Sequence, residues 1–310
     1  MALDVSGLSV YTDENKLDLI KKSILEGRTL NYVTIQPDIK TSATINIIDS
    51  TLVGQAGGCG FNADGTTTLS QRTLSVAPIK VNESICVETL ESYYTQKMMN
   101  KGSYNEDLPF EQIYAEDKAE KIADMIESIV WKGDTSGAGN LALADGLLKV
   151  IDGVSAVDGN VDGVTVATGI TSANIVDIVD GLVASVPADI IDADDLVIFM
   201  GYDKYRAYAK ALRDANLFHY TGEENQGLDF SMIVPGTNVK IVAVKGLNGT
   251  DRMIVSRIAN LYVGVDMLND AEDFRIFYSQ DNDEVRFISK FKIGTQIAFP
   301  ELVVEFTLVP

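Results

Sequence analysis

Apolar side chains at Ile113, Ala115, Ala119, Ile122, Ile126, Ile129 and Val130 recur mostly at steps of three and four, while Glu116, Asp117, Lys118, Glu120, Lys121, Asp124 and Glu127 fill the positions between. This spacing predicts an amphipathic helix over 111–131 with one dry and one wet face. At 1.5 Å per residue such a helix spans roughly 30 Å, about the width of a small domain, so it can act as a spine. It runs into Trp131-Lys132-Gly133-Asp134; after a loop of small residues the chain reads Asp145-Gly146-Leu147-Leu148.

Upstream, Leu17, Ile20 and Ile24 share a helical face and Gly27 stands where a left-handed C-cap belongs, which predicts a short helix over 15–26. From Lys40 to Ala77 the pattern turns to strand type. Thr44, Ile45, Ile47, Ile48, Leu52 and Val53 lead to a glycine-dense stretch from Gly57 to Gly65, and Thr66 to Val76 return from it, so a long hairpin is expected. Its apolar residues read as exposed in a free monomer and in need of cover. A strand over 74–86 and a helix over 87–100 follow, before Asp107-Leu108-Pro109 and the spine. Beyond Asp134, the Asp-Gly pairs at 152–153, 158–159 and 162–163 predict small hairpins. Thr171-Ser172 and Pro187 bracket a helix over 171–186 that turns Ile175, Ile178, Val179, Leu182 and Val183 inward. The continuous apolar run Leu196 to Met200 suits a strand buried on both faces, and 203–216 reads as a helix. Strands are expected at 239–244, 253–256, 274–278, 285–291 and 302–306.

Composition narrows the function classes. The 310 residues are 46% hydrophobic and 23% charged, as in a globular protein with a substantial core. A net charge of −20 makes the chain a poor direct ligand for phosphate backbones. The start Met1-Ala2-Leu3-Asp4 does not resemble a secretory signal, no apolar run is long enough for a membrane span, and a cytoplasmic place of synthesis is expected. Cys59 and Cys86 make no disulfide framework and read as reduced thiols.

Catalytic and metal chemistry finds little to work with. His219 is the single histidine, which removes most zinc sites and leaves a Ser-His-Asp triad resting on one residue in Leu217-Phe218-His219-Tyr220. The stretch Gly54 to Gly60 lacks the Lys-Ser/Thr ending of a phosphate loop and lies between strands. The Asp-Gly turns lack the ligand spacing and closing Glu of an EF-hand, and Asp192, Asp194 and Asp195 read as a solvated turn. No catalytic residue, cofactor or metal is assigned.

The order spine helix, Gly133-Asp134, loop, Gly146-Leu147-Leu148, preceded by a long hairpin, resembles the major capsid proteins of tailed bacteriophages of the Hong Kong 97 type, with the crAss-like or a related group as its branch. The resemblance runs over nearly the whole chain as element order. It implies an α+β Hong Kong 97-type capsid fold: an N-terminal arm (1–40), an extended hairpin loop (41–77), a peripheral domain with the spine (78–136), an axial domain (137–273) and return strands to the peripheral domain (274–310). It also implies a non-enzymatic shell protein of the virion, assembled in the host bacterial cytoplasm. Its partners would be further copies of itself in pentamers and hexamers, a separate scaffold, portal and cement proteins, and packaged DNA bound without sequence specificity, with no membrane. Candidate subunit contacts are Ile45, Ile47, Leu52, Gly57, Gly58, Phe61 and Arg72 of the hairpin, Trp131 of the spine, and His219 and Tyr220 near the capsomer axis.

Some members of the family weld their shells through a hairpin lysine. Here no lysine lies between Lys40 and Lys80, only Arg72, so no such crosslink is expected from this segment. The short run before the hairpin leaves no room for a fused scaffold; either the sequence is a processed form or the scaffold is a separate protein, which an initiator Met1 favours. Other readings are a nanocompartment shell of the same fold that encloses an enzyme, a β-rich surface or glycan-binding protein, and a carboxylate-based hydrolase.

Overall fold

The apolar repeat of the spine forms helix α1, Phe110–Lys132, in the computed structural model. The structure describes residues 28–59, 64–86, 110–161, 164–166, 168–215, 230–266, 275–279, 281–282 and 284–308. The helices expected over 15–26 and 87–100, the Asp162-Gly163 turn, Phe61, His219 and Tyr220 lie outside these residues. Ile122, Ile126, Ile129, Val130 and Trp131 of α1 are buried, as the spacing requires. Glu127 departs from the expected wet face: it is only 6% exposed. Its carboxylate accepts the backbone N–H of Arg28 (2.9 Å) and of Lys245 (2.8 Å), so burial is compensated by hydrogen bonds that periodicity cannot foresee.

Where α1 ends, the backbone itself makes the contact. Gly133 N–H donates to Ile129 O and Gly146 N–H donates to Gly133 O, both at 2.9 Å. A Cβ at Gly133 would stand 2.2 Å from Ala144 O, and one at Gly146 would stand 2.5 Å from Ile129 O. Only glycine fits at either crossing. Leu147 and Leu148 then enter the core as the start of α2, Leu147–Asp152. The intervening loop is tied down by Asp134, which accepts from Ser136 N–H (2.9 Å), and by Asp145, which accepts from Thr135 N–H (2.8 Å). Hydrogen bonds from Ser136, with Lys149 beside it, hold the Asp134 carboxyl below its ordinary range.

Among the described residues the strands make three sheets. A six-stranded sheet has the order β5 (Val157–Asp158), β13 (Val304–Phe306), β9 (Met253–Arg257), β6 (Leu196–Met200), β8 (Lys240–Ala243), β7 (Ser231–Ile233). Strand β6 lies parallel to β8 and antiparallel to β9, and all five of its residues are buried. Alternation divides them: Val197 and Phe199 join the core around α1 and Trp131, while Leu196, Ile198 and Met200 join the core under α3 (Ile175–Ala184) and α4 (Tyr202–Asp214). One strand thus serves two cores. The hairpins expected around the Asp-Gly turns are not formed among the described residues, where β5 instead pairs in parallel with β13, and Gly153 caps α2.

A five-stranded sheet is built on β12, Glu284–Ile297. Its first ten residues pair with β4 (Ala77–Cys86) and its first five, on the other side, with β11 (Arg275–Ser279); its last five pair with β10 (Leu261–Val265), on which β1 (Thr34–Gln36) lies in parallel. Of the strands expected to return to the spine's side, β11 and β12 belong to this sheet. The stretch 302–306 does not: β13 pairs with β9 in the other sheet. The third sheet is the hairpin of β2 (Ser42–Thr51) and β3 (Thr66–Ser75), in register from Ser42 opposite Ser75 to Thr51 opposite Thr66.

The hairpin is seated at a notch in β10 and β12. Gly264 and Gly294 face each other across the two strands, and the absence of both side chains admits the hairpin base. A Cβ at Gly294 would lie 1.9 Å from Ser75 O; one at Gly264 would meet Ile39, Val76 and Leu74 at 2.9–3.1 Å. Gln296 Nε2 donates to Thr73 O at 2.8 Å and fixes the same junction.

Three substitutions test this reading of close contact. Gly146→Ala is expected to lower unfolding free energy by about 2–4 kcal/mol, since backbone on three sides cannot move aside, whereas Gly57→Ala, with open space around it, is expected to change it by less than about 0.5 kcal/mol; chemical denaturation measures both. Gly294→Ala is expected to unseat the hairpin base, seen as faster limited proteolysis within residues 40–77 relative to the rest of the chain.

Candidate assembly surface

The hairpin has two unlike faces because strand residues alternate. One face carries Ala43, Ile45, Ile47 and Leu74; Ile45, Ile47 and Leu74 are buried with Ile39, Val76 and Ala298 in a small core at the root of the hairpin. The expectation that Ile45 and Ile47 stand exposed is therefore corrected: the chain covers them itself. The other face carries Ile48 and Leu69, which are cross-strand partners and are 66% and 80% exposed. Leu52 (94% exposed) and Val53 (54%) extend the apolar surface beyond the last pair. Polar pairing flanks it, with Gln71 Nε2 donating to Asn46 Oδ1 at 2.9 Å.

Ten residues per strand give a cantilever of roughly 34 Å, at about 3.4 Å per residue. From Asp49 on β2 through the tip to Gln71 on β3 every described residue is exposed. Gly57 and Gly58 have open space where a Cβ would stand, so nothing within the chain demands glycine there. Arg72 is half-buried opposite Ile45. Cys59 at the tip is a free, exposed thiol. A two-stranded ribbon with solvent on both faces is marginal by itself, so the root core and the glycine notch are what hold this one.

Trp131 is not a contact surface. It is fully enclosed, its Nε1–H donates to Thr29 Oγ1 at 2.7 Å, its ring packs at 5.1 Å from that of Phe199, and Gly246 lies so close that a Cβ there would stand 2.3 Å from Cδ1. Its role is to join the arm, the spine and the six-stranded sheet. Leu69 carries no apolar pattern in the sequence because it sits in the polar run Thr66-Thr67-Thr68-Leu69-Ser70; only the strand register sets it against Ile48.

Ion pairs among the described residues join elements of the fold. Arg252 Nη2 reaches Asp152 Oδ1 at 2.6 Å and also pairs with Glu305, joining α2 and β13 at the start of β9. Burial pushes the Glu305 carboxyl above its ordinary range even though Arg252 draws it down. Asp195 Oδ1 accepts from Arg257 Nε at 2.8 Å, and so is occupied in tying the turn before β6 to β9. Among the described residues no group of three or more His, Cys, Asp or Glu side chains is placed to hold a metal ion, and no helix is long and apolar enough to cross a membrane.

No protein-family model and no curated protein matches the chain. Solved structures do. A chain of the satellite phage P4 procapsid including the size determination protein is 14% identical, with a TM-score of 0.59 over 96% of this chain and 91% of that one. The capsid of cyanophage A-1(L) is 13% identical, with a TM-score of 0.59 over 93% of this chain and 92% of its own. A virus-like particle from Pyrococcus furiosus is 14% identical, with a TM-score of 0.52 over 94% and 98%. End-to-end likeness of this kind, with the spine, the seated hairpin and the two larger sheets in place, identifies the chain as having the Hong Kong 97-type capsid fold.

Proposed function

We propose that this chain is the major capsid protein of a tailed bacteriophage, which assembles through copies of itself into the hexamers and pentamers of an icosahedral shell around double-stranded DNA. One observation carries the reading beyond the fold: a hairpin about 34 Å long that presents Ile48, Leu69, Leu52 and Val53 to solvent far from the chain's own core. An apolar edge of this kind is a liability in a monomer and an asset in a lattice, where a neighbour covers it. Covering each such side chain contributes roughly 1.5–3 kcal/mol, and symmetry repeats the contact around every ring. Weak repeated contacts suit a shell because misplaced subunits can still leave.

The net charge of −20 suits a container for DNA more than a DNA-binding protein. Carboxylates do not grip phosphate, so tightly packed nucleic acid can slide during filling and release. Scaffold, portal and cement proteins are the further partners of this reading, the virion is its place, and it requires no catalysis by the chain. The six-stranded sheet with α3 and α4 would serve as the axial domain, and the five-stranded sheet with α1 as the peripheral one.

The double substitution Ile48→Asp with Leu69→Asp tests the contact. The folded subunit is expected to keep its thermal midpoint, since both residues are solvent-exposed, while sedimentation velocity shows loss of rings and shells at concentrations where the parent assembles. Assembly at the parent's concentration threshold would contradict the proposal. Native particles that hold protein in place of DNA would favour the nanocompartment alternative.

A further inference from the structure

Glu127 is buried on the spine, and its two carboxylate oxygens are divided between two segments distant in sequence. Oε2 accepts the backbone N–H of Arg28, the first residue of the 3-10 turn Arg28–Tyr32 of the arm, at 2.9 Å. Oε1 accepts the N–H of Lys245 at 2.8 Å and, more weakly, that of Gly246 at 3.4 Å, both in the 3-10 turn Lys245–Leu247 that follows β8. The same two segments meet a second time at Trp131, one turn further along α1, through Thr29 Oγ1 on one side and Gly246 on the other. The 245–247 turn is held to α1 by one more pair, Lys245 Nζ with Asp124 Oδ2 at 2.5 Å, and Lys132 Nζ reaches Asn248 O at 3.0 Å.

We propose that residues 28–36 form a latch whose docking on Glu127 and Trp131 sets how firmly α1 holds the 245–247 turn, so that opening of the arm loosens the spine from the six-stranded sheet. The coupling follows from satisfaction of a buried charge. A carboxylate with all its donors in place is stable inside the protein; remove the Arg28 N–H and one buried oxygen has lost its partner, which favours states in which Glu127 turns toward water and abandons Lys245 and Gly246 as well. Arm and turn therefore share one opening equilibrium, and the effect runs in both directions. Beyond Arg28 the latch is held by burial as well as by polar contacts: Thr29, Leu30 and Val33 are buried, Leu30 and Val33 in the core around α1, while Tyr32 accepts from Lys240 Nζ at 3.2 Å and the three-residue β1 lies along β10. Where the shell reading holds, a neighbour that draws the arm away changes the angle between spine and sheet without touching either.

Amide hydrogen exchange on the full chain, with all variants in the same assembly state, tests the latch independently of what the shell encloses. Arg28→Pro deletes the donated N–H at the first position of a helical turn, where proline fits, and Arg28→Ala keeps it. The Lys245 and Gly246 amides are expected to exchange roughly tenfold faster in Arg28→Pro than in Arg28→Ala, with the β6 amides unchanged. Equal rates at 245–246 in the two variants would overturn the proposal. Glu127→Gln, which turns one acceptor into a donor, serves even where the proline variant does not fold: faster exchange at both 28–36 and 245–246 supports the latch, and faster exchange at one segment alone refutes it.

Discussion

The place where α1 ends is the constraint on which the rest of the molecule depends. There two stretches of backbone touch, at Gly133 and Gly146, at a distance that excludes any side chain, and Trp131 fills the space against Gly246 and Phe199. Three consequences follow. The spine's rotation about its axis is restrained, because Trp131 packs on Phe199 of β6 and Ile126, Ile129 and Val130 lie in the same core. The chain after the loop is delivered with Leu147 and Leu148 pointing into the core. The 245–247 turn is pressed onto the spine closely enough for a buried carboxylate to serve it and the arm together. The short Gly133-Asp134 and Gly146-Leu147-Leu148 steps of the sequence mark this crossing.

A second glycine contact does for the hairpin what the first does for the spine. With no side chains at Gly264 and Gly294, the hairpin base sinks between β10 and β12 and is gripped there by backbone, by Gln296 and by the small apolar core around Ile45, Ile47 and Leu74. A rigid root lets a two-stranded ribbon stand away from the body, which its own pairing could not do alone. The outer half then carries apolar residues that no described part of the chain covers. Packing inside the chain thus falls to the root of the hairpin, and the contact between chains that the proposed function requires falls to its outer half.

How much of this could be read from the sequence depended on the range over which each signal acts. Helix α1 was legible to within a residue at each end, because its repeat runs over six turns; β6 was legible as a five-residue apolar run; the hairpin was legible as two β-rich arms about a glycine-dense tip. Element order was enough to suggest the capsid fold. Strand β10 was missed because Gly264 interrupts Leu261-Tyr262-Val263, and β1 because three residues carry no period; both exist through pairing with distant strands. Glu127 looked like one more exposed charge, since its partners are backbone amides about a hundred residues away on either side. The two faces of the hairpin were likewise not separable by hydrophobicity alone: Ile47 and Ile48 are adjacent and identical, and register decides which is covered.

Electron cryomicroscopy of the purified protein at high concentration tests the central claim most directly. The account predicts five- or six-membered rings, tubes or closed shells in which the outer half of each hairpin lies on the next subunit and Ile48 and Leu69 are enclosed. A monomer that persists at high concentration with its scaffold supplied, or an assembly that leaves those two side chains in solvent, would contradict it.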